Sequence, residues 1–290
     1  MNDVVFRSYD QDALDGEYNN RAKVPDTQDY KDVQARVSEA VRAEYASRLD
    51  VAYGPGPDDR VDIYPAAGDA PSPVHVFFHG GYWRQNHRQE FGFVAQALVP
   101  AGATVVVVEY TLIPEIDMDA LVDQCRRCMA WVWREAASFG ADRDNITVSG
   151  HSAGGHLTVM MMATDWPAYG PGLPVTLVKA GCAISGIYDL EPVRLSFQNE
   201  ILGFTPDIVA RNSPMFMDPK GGGSLLLPVG GLEGPEFIRQ SEEMAAAWRA
   251  KGMDTMAWVM PGLHHFSTIN QLIDPDSELT EEVKAQMDLD

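Results

Sequence analysis

Residues 145–155 read Asn-Ile-Thr-Val-Ser-Gly-His-Ser-Ala-Gly-Gly, so a β-branched apolar run leads directly into a Gly-X-Ser-X-Gly motif. A serine on a tight strand-to-helix turn needs small neighbours on both sides, and Gly150 and Gly154 supply them. Such a turn lifts the serine oxygen above the end of the strand. The pattern therefore predicts Ser152 as a nucleophile and the amide of Ala153, at the positive end of the following helix, as a donor to an oxyanion.

Short apolar runs on both sides of this motif alternate with longer segments of helical period, which predicts an α/β fold. Several runs lack polar alternation, which indicates a mostly parallel central sheet with helices on both faces. The predicted strands are residues 60–64, 74–78, 104–110, 145–149, 177–184, 224–229 and 255–260. The predicted flanking helices are residues 117–139 and 235–251.

The 290 residues are expected to form a single α/β domain, because a chain of this length can bury one large core. Residues 1–57 are expected to be a helical extension that closes with a Gly-Pro turn. Residues 190–220 are interrupted by prolines, so we expect a small, irregular, cap-like excursion above the sheet.

The sequence His79-Gly-Gly-Tyr-Trp83 directly follows the predicted strand 74–78. A Gly-Gly loop at a strand end can turn its amides toward a developing oxyanion, because no side chains obstruct it. We assign this role to the amides of Gly81 and Tyr82, and we expect His79 to hold the loop by a hydrogen bond. Tyr82 and Trp83 are candidates for an aromatic substrate pocket, with simple core packing as the alternative.

The general base is expected after the last strand, where the sequence Met260-Pro-Gly-Leu-His-His-Phe266 offers two histidines. Adjacent residues in a loop point in different directions, so only one of His264 and His265 can reach Ser152.

A carboxylate must hold the imidazole in the correct tautomer and stabilise its charged form. Glu233 follows the penultimate strand, 224–229, and fits this position. Glu236 lies in the first turn of the helix predicted to begin at Pro235. Its presence there has another explanation, because an acidic side chain at a helix N-terminus compensates the helix dipole. Asp189 follows the preceding strand and is the remaining alternative.

The chain has 22 Lys plus Arg against 42 Asp plus Glu, a formal charge of -20, which disfavours nucleic acid and anionic membranes as partners. The apolar runs are too short to span a bilayer, and the N-terminal residues do not resemble a secretory signal. Three cysteines, Cys125, Cys128 and Cys182, fit a reducing compartment, so we expect a cytoplasmic location.

Cys125 and Cys128 share the apolar stripe of the predicted helix 117–139, so buried packing is favoured over a redox role. The sequence contains no HExxH motif, no calcium loop and no Gly-rich nucleotide loop after a strand. We therefore expect no metal and no cofactor. The expected partner is a small ester or amide substrate, and the sequence leaves the oligomeric state open.

The loop His79-Gly-Gly-Tyr-Trp83 resembles that of the kynurenine formamidase (arylformamidase) branch of the α/β-hydrolase superfamily. Further segments that resemble this branch are residues 14–21, 109–115, 185–192, 235–237, 240–241 and 265–266. The resemblance implies an α/β-hydrolase fold with Ser152 as nucleophile, His265 as base and Glu233 at the position of the acid. The family usually has aspartate where this chain has Glu233.

These features together predict a serine hydrolase that cleaves a small N-formyl aryl amide, similar to N-formylkynurenine, or a short-chain ester. A formamidase would stack the aromatic amine, for which Tyr82, Trp83 and Phe197 are candidates. The alternatives are a general short-acyl carboxylesterase and, from another class, a hydrolase-fold protein that binds a ligand without turning it over.

Overall fold

An eight-stranded sheet forms the centre of the computed structural model, which describes residues 3–68 and 70–289. Its strands are β1 (Arg48–Ala52), β2 (Arg60–Tyr64), β3 (Ser72–Phe78), β4 (Thr104–Val108), β5 (Ala141–His151), β6 (Ala180–Ile184), β7 (Ser224–Gly230) and β8 (Asp254–Met260). They lie in the order β1-β2-β4-β3-β5-β6-β7-β8. Strands β3 to β8 are parallel to one another, whereas β1 and β2 pair antiparallel at one edge. All seven predicted strands are present with bounds shifted by a few residues, which confirms the α/β class.

Helices of varied length connect the strands. They are α1 (Gln11–Glu17), α2 (Asn20–Lys23), α3 (Thr27–Glu44), α4 (Ala95–Leu98), α5 (Met118–Glu135), α6 (Ala153–Met162), α7 (Trp166–Tyr169), α8 (Glu191–Leu195), α9 (Asn199–Leu202), α10 (Pro206–Asn212), α11 (Pro235–Arg249), α12 (His265–Asn270) and α13 (Glu278–Gln286). Short 3-10 helices cover Arg88–Val94, Ala136–Phe139, Pro214–Phe216 and Gln271–Ile273. None of the helices in residues 3–68 and 70–289 is both long and apolar enough to cross a membrane.

Two apolar cores lie on opposite faces of the sheet, because successive side chains of a strand point to opposite sides. In β3, Val76 and Phe78 belong to one core and Phe77 to the other. Residues of α5, α6 and α11 cover the first face, and those of α4 and α13 cover the second. Burial on both faces explains why these strands lack a regular alternation of apolar and polar residues.

The N-terminal segment differs from the expected helical extension, because it contains β1 after α1, α2 and α3. Strand β1 is an edge strand, and most of its side chains are exposed. An edge strand with few buried side chains leaves no apolar run in the sequence, so composition alone did not reveal it. Residues 1–2 lie outside the described residues.

The predicted irregular excursion at residues 190–220 contains three short helices, α8 to α10, and a 3-10 turn. Proline lies in the first turn of α8 and of α10, at Pro192 and Pro206. Because the first amides of a helix have no partner within it, proline is tolerated there. The prolines therefore begin short helices in this segment, which the sequence analysis expected to be irregular.

Candidate active site

Ser152 lies between the end of β5 and the start of α6, with φ 57° and ψ −116°. This conformation is strained for a residue with a side chain, and such strain is typical of functional positions. A Cβ on Gly154 would lie 1.9 Å from the carbonyl oxygen of Phe78, and one on Gly150 would lie 2.2 Å from that of Gly154. Both motif glycines are therefore required by close backbone contact, as the sequence predicted. The Ser152 amide donates to the carbonyl of Ile184 at 2.8 Å and ties the turn to β6.

His265 and Glu233 form a buried hydrogen bond, with 2.6 Å between His265 Nδ1 and Glu233 Oε2. The other carboxylate oxygen accepts from Ser185 Oγ and, at 2.7 Å, from the amide of Gly230. An Nδ1–H that donates to a carboxylate leaves Nε2 free to accept a proton. Ser152 and His265 line the same cavity. The structure thus brings the predicted nucleophile, base and acid to one site.

Ser185 supports this arrangement and was not among the predicted site residues. Its hydroxyl donates to Glu233, and it follows β6 with φ 49°. The sequence signal was the segment 185–192, which the family resemblance includes but in which Ser185 itself has no predicted role.

His264 has a different role from its neighbour. Its Nδ1 accepts from the amides of Phe266 and Ser267 at 3.2 Å and so caps α12. Its ring packs edge-on against Tyr30, with ring centroids 4.6 Å apart. Of these two neighbouring histidines, His265 is the one that contacts a carboxylate, which agrees with the choice made from the resemblance.

The two rival carboxylates are engaged elsewhere. Asp189 accepts from the amide of Glu191 at 3.0 Å, and burial raises the pKa of its carboxyl group. Glu236 accepts from the hydroxyl of Tyr18 at 3.0 Å and also pairs with an arginine on its own helix. Among the described residues, Glu233 is therefore the acid that contacts the imidazole.

The loop after β3 lies directly against the nucleophile. A Cβ on Gly80 would lie 2.7 Å from the carbonyl oxygen of His151 and 3.2 Å from Cβ of Ser152, and the contact with the backbone oxygen leaves room for glycine alone. Gly81, Tyr82 and Trp83 have φ values of 119°, 48° and 55°, which reverse the chain sharply. The loop amides thus lie beside the first turn of α6, whose own first amides have no partner within the helix.

A buried polar network holds the start of this loop. The ring of His79 stacks between Tyr110 and Phe91, and His79 Nε2 lies 3.3 Å from Glu109 Oε1. Glu109 also accepts from Arg88 Nη1 at 3.3 Å. Burial alone would raise the pKa of Glu109, but hydrogen bonds from His79 and Arg88 hold it below its usual value. His79 therefore anchors the loop, and the roles of Glu109 and Arg88 were not foreseen.

The cavity above Ser152 has a volume of about 220 Å³. Tyr82 and Phe197 line it, as expected, and so do residues 18–21 of the N-terminal segment. The hydroxyl of Tyr82 donates to the carbonyl of Tyr18 at 2.8 Å and joins this segment to the loop. Asn20 is 5% exposed, and neither its Oδ1 nor its Nδ2 has a hydrogen-bond partner among the described residues. Residues 18–21, which form one wall of the cavity, belong to the segment 14–21. In the sequence this segment is part of the family resemblance, but it carries no predicted role in the site.

Trp83 is in the core and is not among the described residues that line the cavity. Its indole packs against His156 and Phe204, with ring centroids 5.1 Å and 5.8 Å away. The reversal of the chain at residues 81–83 directs this side chain beneath the loop. The expectation that Trp83 forms part of the substrate pocket is therefore corrected in favour of core packing.

His151 lies beside the proposed base. Its Nε2 donates to the carbonyl oxygen of His265 at 2.7 Å, and the two rings are 4.5 Å apart. Burial, together with the neighbouring His265, holds the pKa of His151 well below its usual value. A neutral His151 therefore fixes the main chain of His265 without adding a charge to the site.

The cysteines are all unpaired and buried. Burial raises the pKa of Cys125 and of Cys182. Since the thiolate is the reactive form, neither cysteine is suited to redox chemistry.

The known proteins that this chain resembles have names of hydrolytic enzymes. Residues 61–167 match the family model described as BD-FAE. The chain is 33% identical over 287 residues to the kynurenine formamidase of Danio rerio, covering 95% of this chain and 96% of that protein. It is also 33% identical to the kynurenine formamidase of Salmo salar, covering 84% and 83% of the two chains. The solved structure of a candidate thioesterase from Silicibacter sp. has a TM-score of 0.81 and 29% identity, with 92% of this chain and 97% of that chain covered.

Proposed function

Because the chain belongs to the kynurenine formamidase family and has an α/β-hydrolase fold, we propose that it hydrolyses a small N-formyl aryl amide through an acyl-enzyme on Ser152. Enzymes related to it act on esters or formyl amides, so hydrolysis itself follows from the family. The observation that carries the assignment of residues is the hydrogen bond between His265 and Glu233, in the cavity that also contains Ser152.

Attack on the formyl carbon requires removal of the Ser152 proton. His265 takes this proton at Nε2, and Glu233 stabilises the resulting imidazolium through Nδ1–H. The carbonyl oxygen becomes negatively charged as the new C–O bond forms. The amides of Gly81, Tyr82 and Ala153 are the proposed donors to this oxyanion, and removing one such donor typically costs about 100- to 1,000-fold in kcat.

Collapse of the tetrahedral intermediate breaks the C–N bond. His265 returns its proton to the aromatic amine, which leaves as the neutral arylamine, and a formyl ester remains on Ser152. A water molecule then gives a proton to His265 and attacks this ester. The C–O bond to Ser152 breaks as His265 passes that proton to the serine oxygen, which releases formic acid and restores both residues.

The size of the site supports a small substrate. The cavity volume, about 220 Å³, is below the roughly 300–1,000 Å³ usual for drug-sized ligands. Tyr82 and Phe197 offer aromatic surfaces for the arylamine. Trp83 takes no part in this proposal, because it lies in the core.

Hydrolysis of short-chain esters is the second candidate, favoured by the likeness to the esterase LipQ of Mycobacterium tuberculosis, which is 28% identical over 243 residues and 76% of this chain. The same serine, base and oxyanion donors would serve, and an ester is the easier substrate because its alcohol leaves more readily than an amine. A catalytically silent binding protein is disfavoured, because the nucleophile, base and acid positions are all occupied. The buried, unpaired cysteines support our expectation of a reducing, cytoplasmic location.

The test compares kcat/KM for N-formylkynurenine with kcat/KM for p-nitrophenyl acetate and butyrate, on one preparation, with Ser152→Ala as control. We expect the formamide to be preferred by orders of magnitude and Ser152→Ala to abolish turnover of all three substrates. Activity on the esters with none on the formamide would contradict the formamidase assignment and support the carboxylesterase. Full activity of Ser152→Ala would contradict the nucleophile.

A further inference from the structure

The amide of Gly81 is one of the three donors assigned to the oxyanion, and its direction depends on the neighbouring carbonyl. Gly81 lines the cavity above Ser152, and within residues 3–68 and 70–289 its N–H donates to no backbone carbonyl. The peptide bond that joins Gly80 to Gly81 is trans. In a trans peptide the C=O and N–H groups point in opposite directions. Whatever holds the carbonyl of Gly80 therefore also aims the amide of Gly81.

Two side chains donate to the carbonyl oxygen of Gly80. His79 Nδ1 and Asn86 Nδ2 each lie 3.0 Å from it. A carbonyl oxygen has two lone pairs, so two donors on different side chains hold the plane of the peptide. Hydrogen bonds in a chain polarise one another, so donation to this C=O also makes the N–H of Gly81 a stronger donor.

The ring of His79 donates as a charged group. Its Nε2 lies 3.3 Å from a carboxylate oxygen of Glu109. Burial raises the pKa of Glu109, but hydrogen bonds, that of His79 first among them, bring it below its usual value, so the carboxylate only accepts. Both ring nitrogens of His79 thus face acceptors and both carry protons. A hydrogen bond from an ionised donor is about twice as strong as one between neutral groups.

The amide group of Asn86 is oriented from its other side. Its Oδ1 accepts from Lys31 Nζ at 3.3 Å, and because an ammonium group only donates, Nδ2 is left to face Gly80. Asn86 is half-buried and has φ 69°, which asparagine adopts more readily than most residues. A Cβ on Gly81 would lie 2.7 Å from Asn86 Nδ2, so glycine at this position lets the amide group pack directly against the loop.

We propose that Asn86 is a positioning residue for the oxyanion site, which together with His79 holds the Gly80 carbonyl so that the Gly81 amide faces the substrate oxygen. This inference rests on the proposed function, because it takes Gly81 as an oxyanion donor. An oxyanion forms in ester and in formamide hydrolysis alike, so the role of Asn86 is the same for both substrates. Charge develops on that oxygen only in the transition state, so loss of the donor lowers kcat and leaves KM nearly unchanged.

Two substitutions of Asn86 remove the donor in different ways. Asn86→Asp keeps the shape, the tolerance of positive φ and the acceptor for Lys31, but it cannot donate to Gly80. Asn86→Gly also tolerates this φ and adds no charge. Both should lower kcat on p-nitrophenyl acetate by about 10- to 100-fold with little change in KM. This loss is smaller than the about 100- to 1,000-fold typical of a missing oxyanion donor, because His79 still holds the carbonyl.

A pair of ketone inhibitors distinguishes this role from a general disturbance of the site. Trifluoroacetophenone adds to a nucleophilic serine and gives a tetrahedral oxyanion, whereas acetophenone binds without addition. In both variants the Ki of trifluoroacetophenone should rise by the factor by which kcat falls, and the Ki of acetophenone should stay at the wild-type value. An equal rise for both ketones would overturn the inference, since it would show a structural effect alone.

Asn145→Asp is the matched control. Asn145 is half-buried and its Nδ2 donates to the carbonyl of Met287 at 3.1 Å, near the start of β5 and away from the elbow at its end. This variant should keep the wild-type kcat and both Ki values. Unchanged kcat and unchanged trifluoroacetophenone Ki in the two Asn86 variants would overturn the inference. If neither folds, Lys31→Met, which releases Asn86 Oδ1, should lower kcat by a smaller factor, and an unchanged kcat there would overturn it.

Failure of the formamidase assignment gives a different result. A wild type that hydrolyses p-nitrophenyl acetate but no formamide refutes the formamidase and leaves every comparison of the Asn86 variants in force. If the wild type hydrolyses neither, the proposed function fails, and fluorine NMR of the trifluoroacetophenone adduct on Ser152 becomes the measurement. A weaker adduct in Asn86→Asp than in the wild type would then support the inference. Equal adducts, or no adduct in the wild type, would overturn it.

Discussion

Replacement of Glu233 by glutamine should disable the enzyme while leaving its fold intact. The Oε1 atom of Glu233 accepts from Ser185 and from the amide of Gly230, and Oε2 accepts from His265 Nδ1. The glutamine oxygen will keep the two donors at the Oε1 position. Its NH₂ group then faces His265, which must present an unprotonated Nδ1 and carry its proton on Nε2. In that tautomer the imidazole cannot accept the proton of Ser152.

The expected loss in kcat is about 1,000- to 10,000-fold, the size typical of a base held in the wrong tautomer. This corresponds to about 4–5.5 kcal/mol of transition-state stabilisation. The free energy of unfolding should change much less, by about 1 kcal/mol, because every buried partner keeps a hydrogen bond. Glu233→Asp keeps the charge but shortens the side chain, and a displacement of about 1 Å at the base costs about 100-fold.

The assay is kcat on p-nitrophenyl acetate, with urea unfolding measured on the same samples. Asp189→Asn and Glu236→Gln are matched controls, since both carboxylates are buried and accept hydrogen bonds from groups other than the imidazole. These two variants should keep most of the wild-type kcat. Near-normal kcat in Glu233→Gln together with a severe loss in Asp189→Asn would refute the assignment of the acid.

Three further perturbations test the elbow, the buried network and the pH dependence. Gly154→Ala should lower kcat at least about 100-fold, because its Cβ would lie 1.9 Å from a carbonyl oxygen of β3 and displace the nucleophile. Gly16→Ala is the control and should leave kcat unchanged, because the space around its Cβ is open. Arg88→Met should lower the free energy of unfolding by about 3–5 kcal/mol, because it leaves Glu109 charged and buried. An unchanged midpoint of urea unfolding would contradict this prediction. Burial lowers the pKa of His75 to about 3, so the unfolded chain binds a proton between about pH 6.5 and 3 that the folded chain does not. This group's contribution to stability is therefore full above pH 6.5 and is lost toward acid by up to about 1.4 kcal/mol per pH unit, and His75→Asn should remove that part of the slope.

The sheet and the elbow were predictable because their constraints are local. The strand ending at Phe78 is apolar on both faces, and the close contacts of Gly150 and Gly154 leave no space for a side chain. Burial on both faces and close backbone contact each require particular residue types at a fixed spacing. A single sequence is therefore enough to recognise the strand and the elbow. Strand β1 escaped detection because an edge strand with exposed side chains needs no apolar run.

The walls of the site were less predictable because they depend on contacts between distant segments. Tyr18 and Arg21 reach the cavity only when the N-terminal segment packs against the loop after β3. Trp83 and Tyr82 are adjacent aromatic residues in the same loop, yet one is in the core and the other lines the cavity. The direction of each side chain depends on positive φ values at three successive residues, Gly81, Tyr82 and Trp83. A positive φ is expected from the residue type only for the glycine.

Covalent trapping of the nucleophile tests the central claim most directly. Incubation with diethyl p-nitrophenyl phosphate should release one equivalent of p-nitrophenolate per chain and abolish hydrolysis of N-formylkynurenine and p-nitrophenyl acetate in parallel. Peptide mass spectrometry should locate the phosphoryl adduct on Ser152, and Ser152→Ala should remain unlabelled. An adduct on another residue, or hydrolysis that persists after complete labelling of Ser152, would contradict the account.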